Sequence, residues 1–380
     1  MKNFALALFL FLHGIAFAAD APRLLPPPPA PDIAAKSYVL MDFRSGQILQ
    51  SQNADTRVEP ASLTKLMTAY LTFTAVKQGR LKLDQALPVS EKAWRTEGSR
   101  MFIDPKTPVR VDDLMKGMIV QSGNDACITL AEGIAGSEET FVELMNREAQ
   151  RLGMANTHFM NATGLPHAQH YSTARDLAVL AAALMRDFPE FYPLYSMKEY
   201  TYNKITQPNR NRLLWQDPYV DGMKTGHTES AGFCLISSAK RGDMRLISVV
   251  TGTNSDNART AESQKLLNYG FQFYETYRLY QKGQTVAALP VYKGSSNTVK
   301  AGFTRDIYLA LPKGYYPQAK VTLVSRQPLL APLDAGQTVG TLQASVEGKT
   351  YATYNLQSLE SVSVAGIFGR AWDTVKLWFK

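Results

Sequence analysis

The 380-residue chain is predicted to fold as an α/β domain, an antiparallel sheet covered by helices, followed by a small all-β domain and a C-terminal amphipathic helix. Three features point there. Between residues 38 and 280 the hydrophobic pattern runs strands, helices, strands, helix, the order of a sheet with helices laid over it. From 286 to 360 short β-rich runs alternate with Pro and Gly turns. Over the last 20 residues apolar and basic side chains separate onto opposite sides of a helical wheel. The length exceeds what one small core can organise. Apolar residues make up 45% of the chain and charged ones 19%, a globular composition that excludes disorder.

The N-terminus is a targeting segment. Lys2, an apolar run over 4–12 and the small-x-small Ala16-Phe17-Ala18 form a secretory signal peptide, residues 1–18, too short to span a bilayer. Residues 19–35 are Pro- and Ala-rich, with prolines at 26–29, and read as an extended leader outside the core. No later segment is long and apolar enough to span. Export permits disulfides, but there are only two cysteines, Cys127 and Cys234, on an apolar helix and an apolar strand, and they read as buried thiols. The five histidines form no HExxH and no Cys/His cluster, so no metal site is expected. A net charge of +8 without a dense Lys/Arg block or docking motif argues against nucleic acid and suits an anionic substrate or membrane.

The catalytic domain is expected over 36–285. Residues 38–42 and 47–51 read as strands around the turn Arg44-Ser45-Gly46. Residues 62–76 read as a helix apolar nearly all round, hence buried and central. Residues 84–190 look helical with loops, with amphipathic stretches at 112–120, 125–134 and 176–186. Residues 232–239 and 244–251 form a hairpin about Arg241-Gly242-Asp243, and 261–280 closes the domain as a helix. In the β domain, 286–360, strands are expected at 298–301, 306–310, 320–324, 338–344 and 349–355. In the last segment, 361–380, Val364, Ala365, Ile367, Phe368, Ala371, Trp372, Val375, Trp378 and Phe379 share one arc opposite Arg370, Lys376 and Lys380. Phe368, Trp372, Trp378 and Phe379 are the expected anchors in a membrane interface.

Three short motifs carry the chemistry. In Ser62-Leu63-Thr64-Lys65 the serine and lysine share a helix face, so the amine can reach the hydroxyl. A lysine desolvated in a buried helix can become neutral and activate the serine, and free N–H groups at the helix start can stabilise an oxyanion. A second copy, Ser237-Ser238-Ala239-Lys240, lies in a strand, where positions three apart face opposite ways. In Ser122-Gly123-Asn124, which opens the next helix, Ser122 offers a proton relay and Asn124 an amide to hold a substrate backbone or Lys65. The triplets Ser51-Gln52-Asn53, Ser255-Asp256-Asn257 and Ser295-Ser296-Asn297 share this form but not its place. Lys224-Thr225-Gly226, followed by His227, occurs once. On an edge strand Lys224 and Thr225 can bind a carboxylate, and Gly226 lets a substrate backbone approach. The three stand in order, 60 and then 102 residues apart.

This set is the signature of penicillin-binding proteins and class A β-lactamases. With Glu59-Pro60-Ala61 before Ser62, Asp125-Ala126-Cys127 after Asn124 and Asp221-Gly222-Met223 before Lys224, the chain over about 35–380 resembles the low-molecular-mass penicillin-binding proteins, the serine D-alanyl-D-alanine carboxypeptidases. The resemblance implies a penicillin-binding/β-lactamase-like fold and removal of the terminal D-alanine from peptidoglycan peptides ending in D-Ala-D-Ala. It implies Ser62 as acylated nucleophile, Lys65 as its base, Ser122 and Asn124 as relay and positioning groups, and Lys224 and Thr225 as substrate contacts. The N–H groups of Ser62 and His227 would form the oxyanion hole, and Arg259, in Ala258-Arg259-Thr260, would hold the terminal carboxylate. It further implies inhibition by β-lactams, no cofactor, and a place on the periplasmic side of the inner membrane through the C-terminal helix. A homodimer is left open. A β-lactamase would need a Glu between the second and third motifs to activate water, and 149–189 contains none. Asp176, after Arg175, is expected in a structural ion pair. A D,D-endopeptidase would use the same groups, and a non-catalytic envelope scaffold would not need them all.

Overall fold

The computed structural model describes residues 26–378, with side chains described as far as Thr374. The expected signal peptide and Phe379 lie outside the described residues, as does the side chain of Trp378.

The first domain is built on β1 (Ser37–Asp42), β2 (Ile48–Gln52), α1 (Lys65–Lys77), α2 (Val111–Val120), α3 (Asn124–Ala135), α4 (Glu138–Leu152), α5 (Ala174–Asp187), β3 (Val220–Thr228), β4 (Gly232–Arg241), β5 (Met244–Thr253) and α6 (Asp256–Phe273). The five strands form one antiparallel sheet in the order β2-β1-β5-β4-β3, so β3 is an edge. Alternation along the strands sends side chains to two cores. Leu246 and Val250 of β5 pack with Leu266 and Leu267 of α6, while Ile247 and Val249 face α1 and α5 through Leu66, Met67, Leu177 and Leu180. α1 is buried on nearly every side, as its sequence predicts. It begins later than expected, because Ala61–Thr64 is a 3₁₀ turn in front of it.

Two expectations are corrected. The helix expected over 261–280 runs from Asp256, capped by Ser255, and stops at Phe273. Residues Tyr274–Tyr280 instead form β6, whose ladder with a later strand satisfies the backbone. The three tyrosines and one threonine of this segment suit a strand once a partner is available. The leader is not wholly outside the core. Ile33 is buried among α6 residues, and the Tyr269 hydroxyl donates to the Pro28 carbonyl at 2.7 Å.

The second domain contains β6, β7 (Thr285–Tyr292), β8 (Thr298–Gly302), β9 (Ile307–Pro312), β10 (Lys320–Ser325), β11 (Leu329–Leu330), β12 (Thr338–Val346) and β13 (Lys349–Ser358). Strands β6 and β9 pair, and the others form a sheet ordered β10-β12-β13-β8-β7-β11 around Val299, Val339, Leu342 and Leu356. The five expected strands are present; β6, β7 and the two-residue β11 were not foreseen. The domains are tied where Thr276 donates to Asp42 at 2.8 Å and where Gln47 hydrogen-bonds both N–H and C=O of Ala310.

The terminal helix α7 (Ile367–Trp378) starts later than residue 361, because Val362 and Val364 still bridge to Leu333 and Gly294 of the β domain. Its Asp373 accepts the Lys293 N–H at 2.6 Å. Ile367, Phe368 and Trp372 are 73, 92 and 64% exposed. No helix among the described residues is long and apolar enough to cross a membrane.

Candidate active site

Ser62 sits in the 3₁₀ turn that leads into α1, after Ala61 at φ +47°. Ser122 is another non-glycine residue in the left-handed region, at φ +62°. Such conformations persist where surrounding structure holds them, and they gather at functional sites. Here the holding is visible. A Cβ on Gly164 would meet the Ala61 carbonyl oxygen at 1.8 Å, so the 161–164 turn can close on the nucleophile turn only with glycine. Gly226 serves the same end: its Cβ would approach the Pro60 oxygen at 3.0 Å. The sequence suggested that this glycine lets substrate approach; in the structure the Pro60 carbonyl and the Ala61 and Leu63 side chains also press close to it.

Lys65 Nζ lies 2.9 Å from Ser62 Oγ and donates to the Thr163 carbonyl at 2.5 Å. Its side chain is 1% exposed. Burial is the main force that lowers its pKa to about 8; the Arg210 guanidinium pushes the same way, and Cys127 and Asp125 oppose it. Lys224 Nζ donates to Ser122 Oγ at 2.9 Å and to the Thr225 carbonyl at 2.9 Å. Burial, then Lys65 and Arg210, hold it well below the ordinary lysine value. All three motifs therefore meet: one serine–lysine pair from α1 and a second that joins the α3 start to the edge strand β3.

Ser62, Ser122, Thr225, Gly226, His227 and Arg259 line one cavity of about 700 Å³. The His227 ring rests on Phe233, centroids 4.0 Å apart. Asn124 is turned elsewhere than expected. Its Nδ2 donates to the Glu97 carbonyl at 2.7 Å, and its buried Oδ1 has no hydrogen-bond partner. Arg259 is buried, pairs with Asp256 and donates to the Gly226 carbonyl at 3.1 Å. Asp176 lies apart from the cavity, taking the Asn156 N–H and Thr157 hydroxyl at 2.9 and 2.8 Å. Among the described residues Asp176 forms no ion pair, and Arg175 pairs with Asp55 instead. Cys127 and Cys234 are buried free thiols, as read from the sequence.

Sequence reasoning missed Thr163, Arg210 and Arg212. Thr163 sits in Asn161-Ala162-Thr163-Gly164, where Asn161 Oδ1 accepts the N–H groups of Thr163 and Gly164 at 3.2 and 2.7 Å, a turn signal that could have been read. Arg210 and Arg212 follow a short hairpin, Glu199–Tyr202 with Ile205–Pro208, and line the cavity. Nothing in Asn209-Arg210-Asn211-Arg212 alone marks it as a site.

A D-alanyl-D-alanine carboxypeptidase family model matches residues 26–255, and the model of the C-terminal domain of penicillin-binding protein 5 matches 274–364. The D-alanyl-D-alanine carboxypeptidase DacC of Escherichia coli K12 is 44% identical, covering 98% of this chain and 94% of that protein. Penicillin-binding protein 5 of Haemophilus influenzae superposes with a TM-score of 0.83 at 44% identity, over 90% of this chain and all of that one. Penicillin-binding protein D2 of Listeria monocytogenes in its ampicillin-bound form superposes with a TM-score of 0.59 at 34% identity, over 64% of this chain and 99% of that one.

Proposed function

Since the chain belongs to the D-alanyl-D-alanine carboxypeptidase family, we propose that it removes the terminal D-alanine of peptidoglycan peptides through an acyl-enzyme on Ser62. The observation that carries this reading is the 2.9 Å approach of a buried, easily neutralised Lys65 amine to the Ser62 hydroxyl. With a pKa of about 8, about a tenth of Lys65 is neutral at pH 7.

Neutral Lys65 accepts the Ser62 proton as Oγ attacks the carbonyl between the two D-alanines. The C–N bond breaks, and the departing amine takes a proton relayed from Lys65 through Ser122. Water then attacks the ester, giving its proton to the same relay, and Ser62 is restored. The N–H groups of Ser62 and His227 stabilise the oxyanion; β3, as an edge strand, has N–H groups free to face substrate. Lys224 keeps Ser122 oriented, and Thr225 contacts the substrate. Arg259, shielded by Asp256, supplies positive potential for the terminal carboxylate, and the exposed Arg210 is its direct partner. Asn124 fixes the Glu97 carbonyl beside the site. Penicillins acylate Ser62 in place of the peptide, and without a Glu over 149–189 the ester is hydrolysed slowly.

The exposed apolar face of α7 supports a peripheral seat on a membrane after export, on the periplasmic side, with Ile367, Phe368 and Trp372 in the interface. Removing 367–380 should free the protein from sedimenting lipid vesicles while it still cleaves soluble peptide; retention on the vesicles would contradict this seat.

The test of the reaction is release of free D-alanine from a soluble peptide ending in D-Ala-D-Ala. Release by wild type but not by Ser62→Ala is expected. Release by both contradicts the nucleophile. Release by neither, while penicillin still labels the wild type, contradicts the substrate.

A further inference from the structure

The cavity lining includes three guanidinium groups, Arg210, Arg212 and Arg259, and a single carboxylate, Asp256. Asp256 holds two of the three. Its Oδ2 pairs with Arg212 Nε at 2.6 Å and its Oδ1 with Arg259. Arg212 also donates Nη1 to Asn257 Oδ1 at 2.7 Å, so its fork grips two successive residues of α6. Both ends of this clasp are anchored. On the loop, Asn209 Nδ2 donates to the Met197 carbonyl and Asn211 Nδ2 to the Gly222 carbonyl, each at 3.0 Å. On the helix, Arg259 is tied to β3 through the Gly226 carbonyl. The Arg212 side chain is 53% exposed, which places the clasp at the rim.

In a peptide with a free terminus the carboxylate belongs to the residue that leaves, so the cations mark the leaving-residue end of the cavity. Among the described residues Arg210 makes no hydrogen bond or ion pair, whereas Arg212 and Arg259 are committed to Asp256. A larger leaving residue would have to part Arg212 from Asp256 and Asn257 and strand charged groups that a small terminal residue leaves paired.

We propose that the Arg212–Asp256 clasp is a specificity-determining wall: it closes this end around one small terminal residue and turns away a leaving residue whose side chain continues into a second peptide, as in a cross-link. The proposal rests on the carboxypeptidase reading above and adds which form of the substrate the site admits.

The test uses the full chain as wild type, Arg212→Gly, Arg212→Lys and Asp256→Asn. For each, kcat/KM is measured on a soluble peptide ending in D-Ala-D-Ala and on a purified cross-linked dimer, with acylation by a fluorescent penicillin as the report on site integrity. Arg212→Gly and Asp256→Asn should raise the dimer-to-monomer ratio about tenfold, through a lower KM for the dimer. Arg212→Lys, which can still pair with Asp256, should stay near the wild-type ratio. An unchanged ratio in Arg212→Gly with penicillin acylation intact would overturn the clasp and leave the carboxypeptidase reading standing. Wild type that is acylated by penicillin but releases no D-alanine from the monomer would overturn that reading, and the clasp with it.

Discussion

The two ends of the cavity are built by opposite rules. At the nucleophile end, Ser62 and Lys65 are three residues apart on one turn, packed under Thr163 and Gly226, with Lys65 shielded from water. At the leaving-residue end, Arg210, Arg212 and Asp256 come from a loop and a helix start, and Arg212 meets Asp256 charge on charge at a wet rim, with Arg259 buried behind them. A dry end can retune a pKa, because desolvation acts on whichever charge is buried there. A wet end cannot do this to the same degree, but it can select by charge and shape while exchanging its product with solvent. On the proposed mechanism the difference separates the groups that set the rate of bond breaking from those that choose what is bound.

Removing one member of the dry pair should have the largest effect. Lys65→Ala should slow penicillin acylation by about 10²–10⁴-fold, the range of a positioned general base, with little change in fold because α1 is held by its apolar neighbours. Stopped-flow acylation with circular dichroism checks both halves of this statement. A fall of less than tenfold would mean that another group takes the Ser62 proton. At the wet end, Arg210→Ala should cost about tenfold in kcat/KM for a peptide with a free terminal carboxylate, mostly in KM, and much less for the same peptide amidated at its C-terminus. An equal loss on both peptides would show that Arg210 acts on the lysines and not on the carboxylate.

The same contrast explains what was legible in the sequence. The Ser-x-x-Lys spacing is a local geometric fact, so the dry end could be read directly. The apolar surround of 62–76 further predicted that Lys65 would be desolvated. The β3 edge was legible from its unique Lys224-Thr225-Gly226, though not the close approach of Gly226 to the Pro60 carbonyl, which is more than 160 residues away in the chain. Asn124 was misdirected for a similar reason: its partner, Glu97, lies in a loop without periodic pattern. Arg210 and Arg212 become meaningful only when folding brings both to the cavity lining and Arg212 onto Asp256. In the β domain, Tyr274–Tyr280 was read as helix because it continues a helical run, and only its pairing with β9 makes it a strand. Local chemistry was readable; pairings across distant segments were not.

The central claim is that burial turns Lys65 into the base for Ser62, and the pH dependence of acylation tests it most directly. The attacking state needs neutral Lys65, whose pKa is lowered to about 8. Below that pH the neutral fraction falls about tenfold per unit, and above it the fraction saturates. The second-order rate of penicillin acylation of the wild type should therefore climb with a slope near one from pH 6 to about 8 and then level. A rate that is flat from pH 6 to 9, or that falls as pH rises toward 8, would contradict Lys65 as the base.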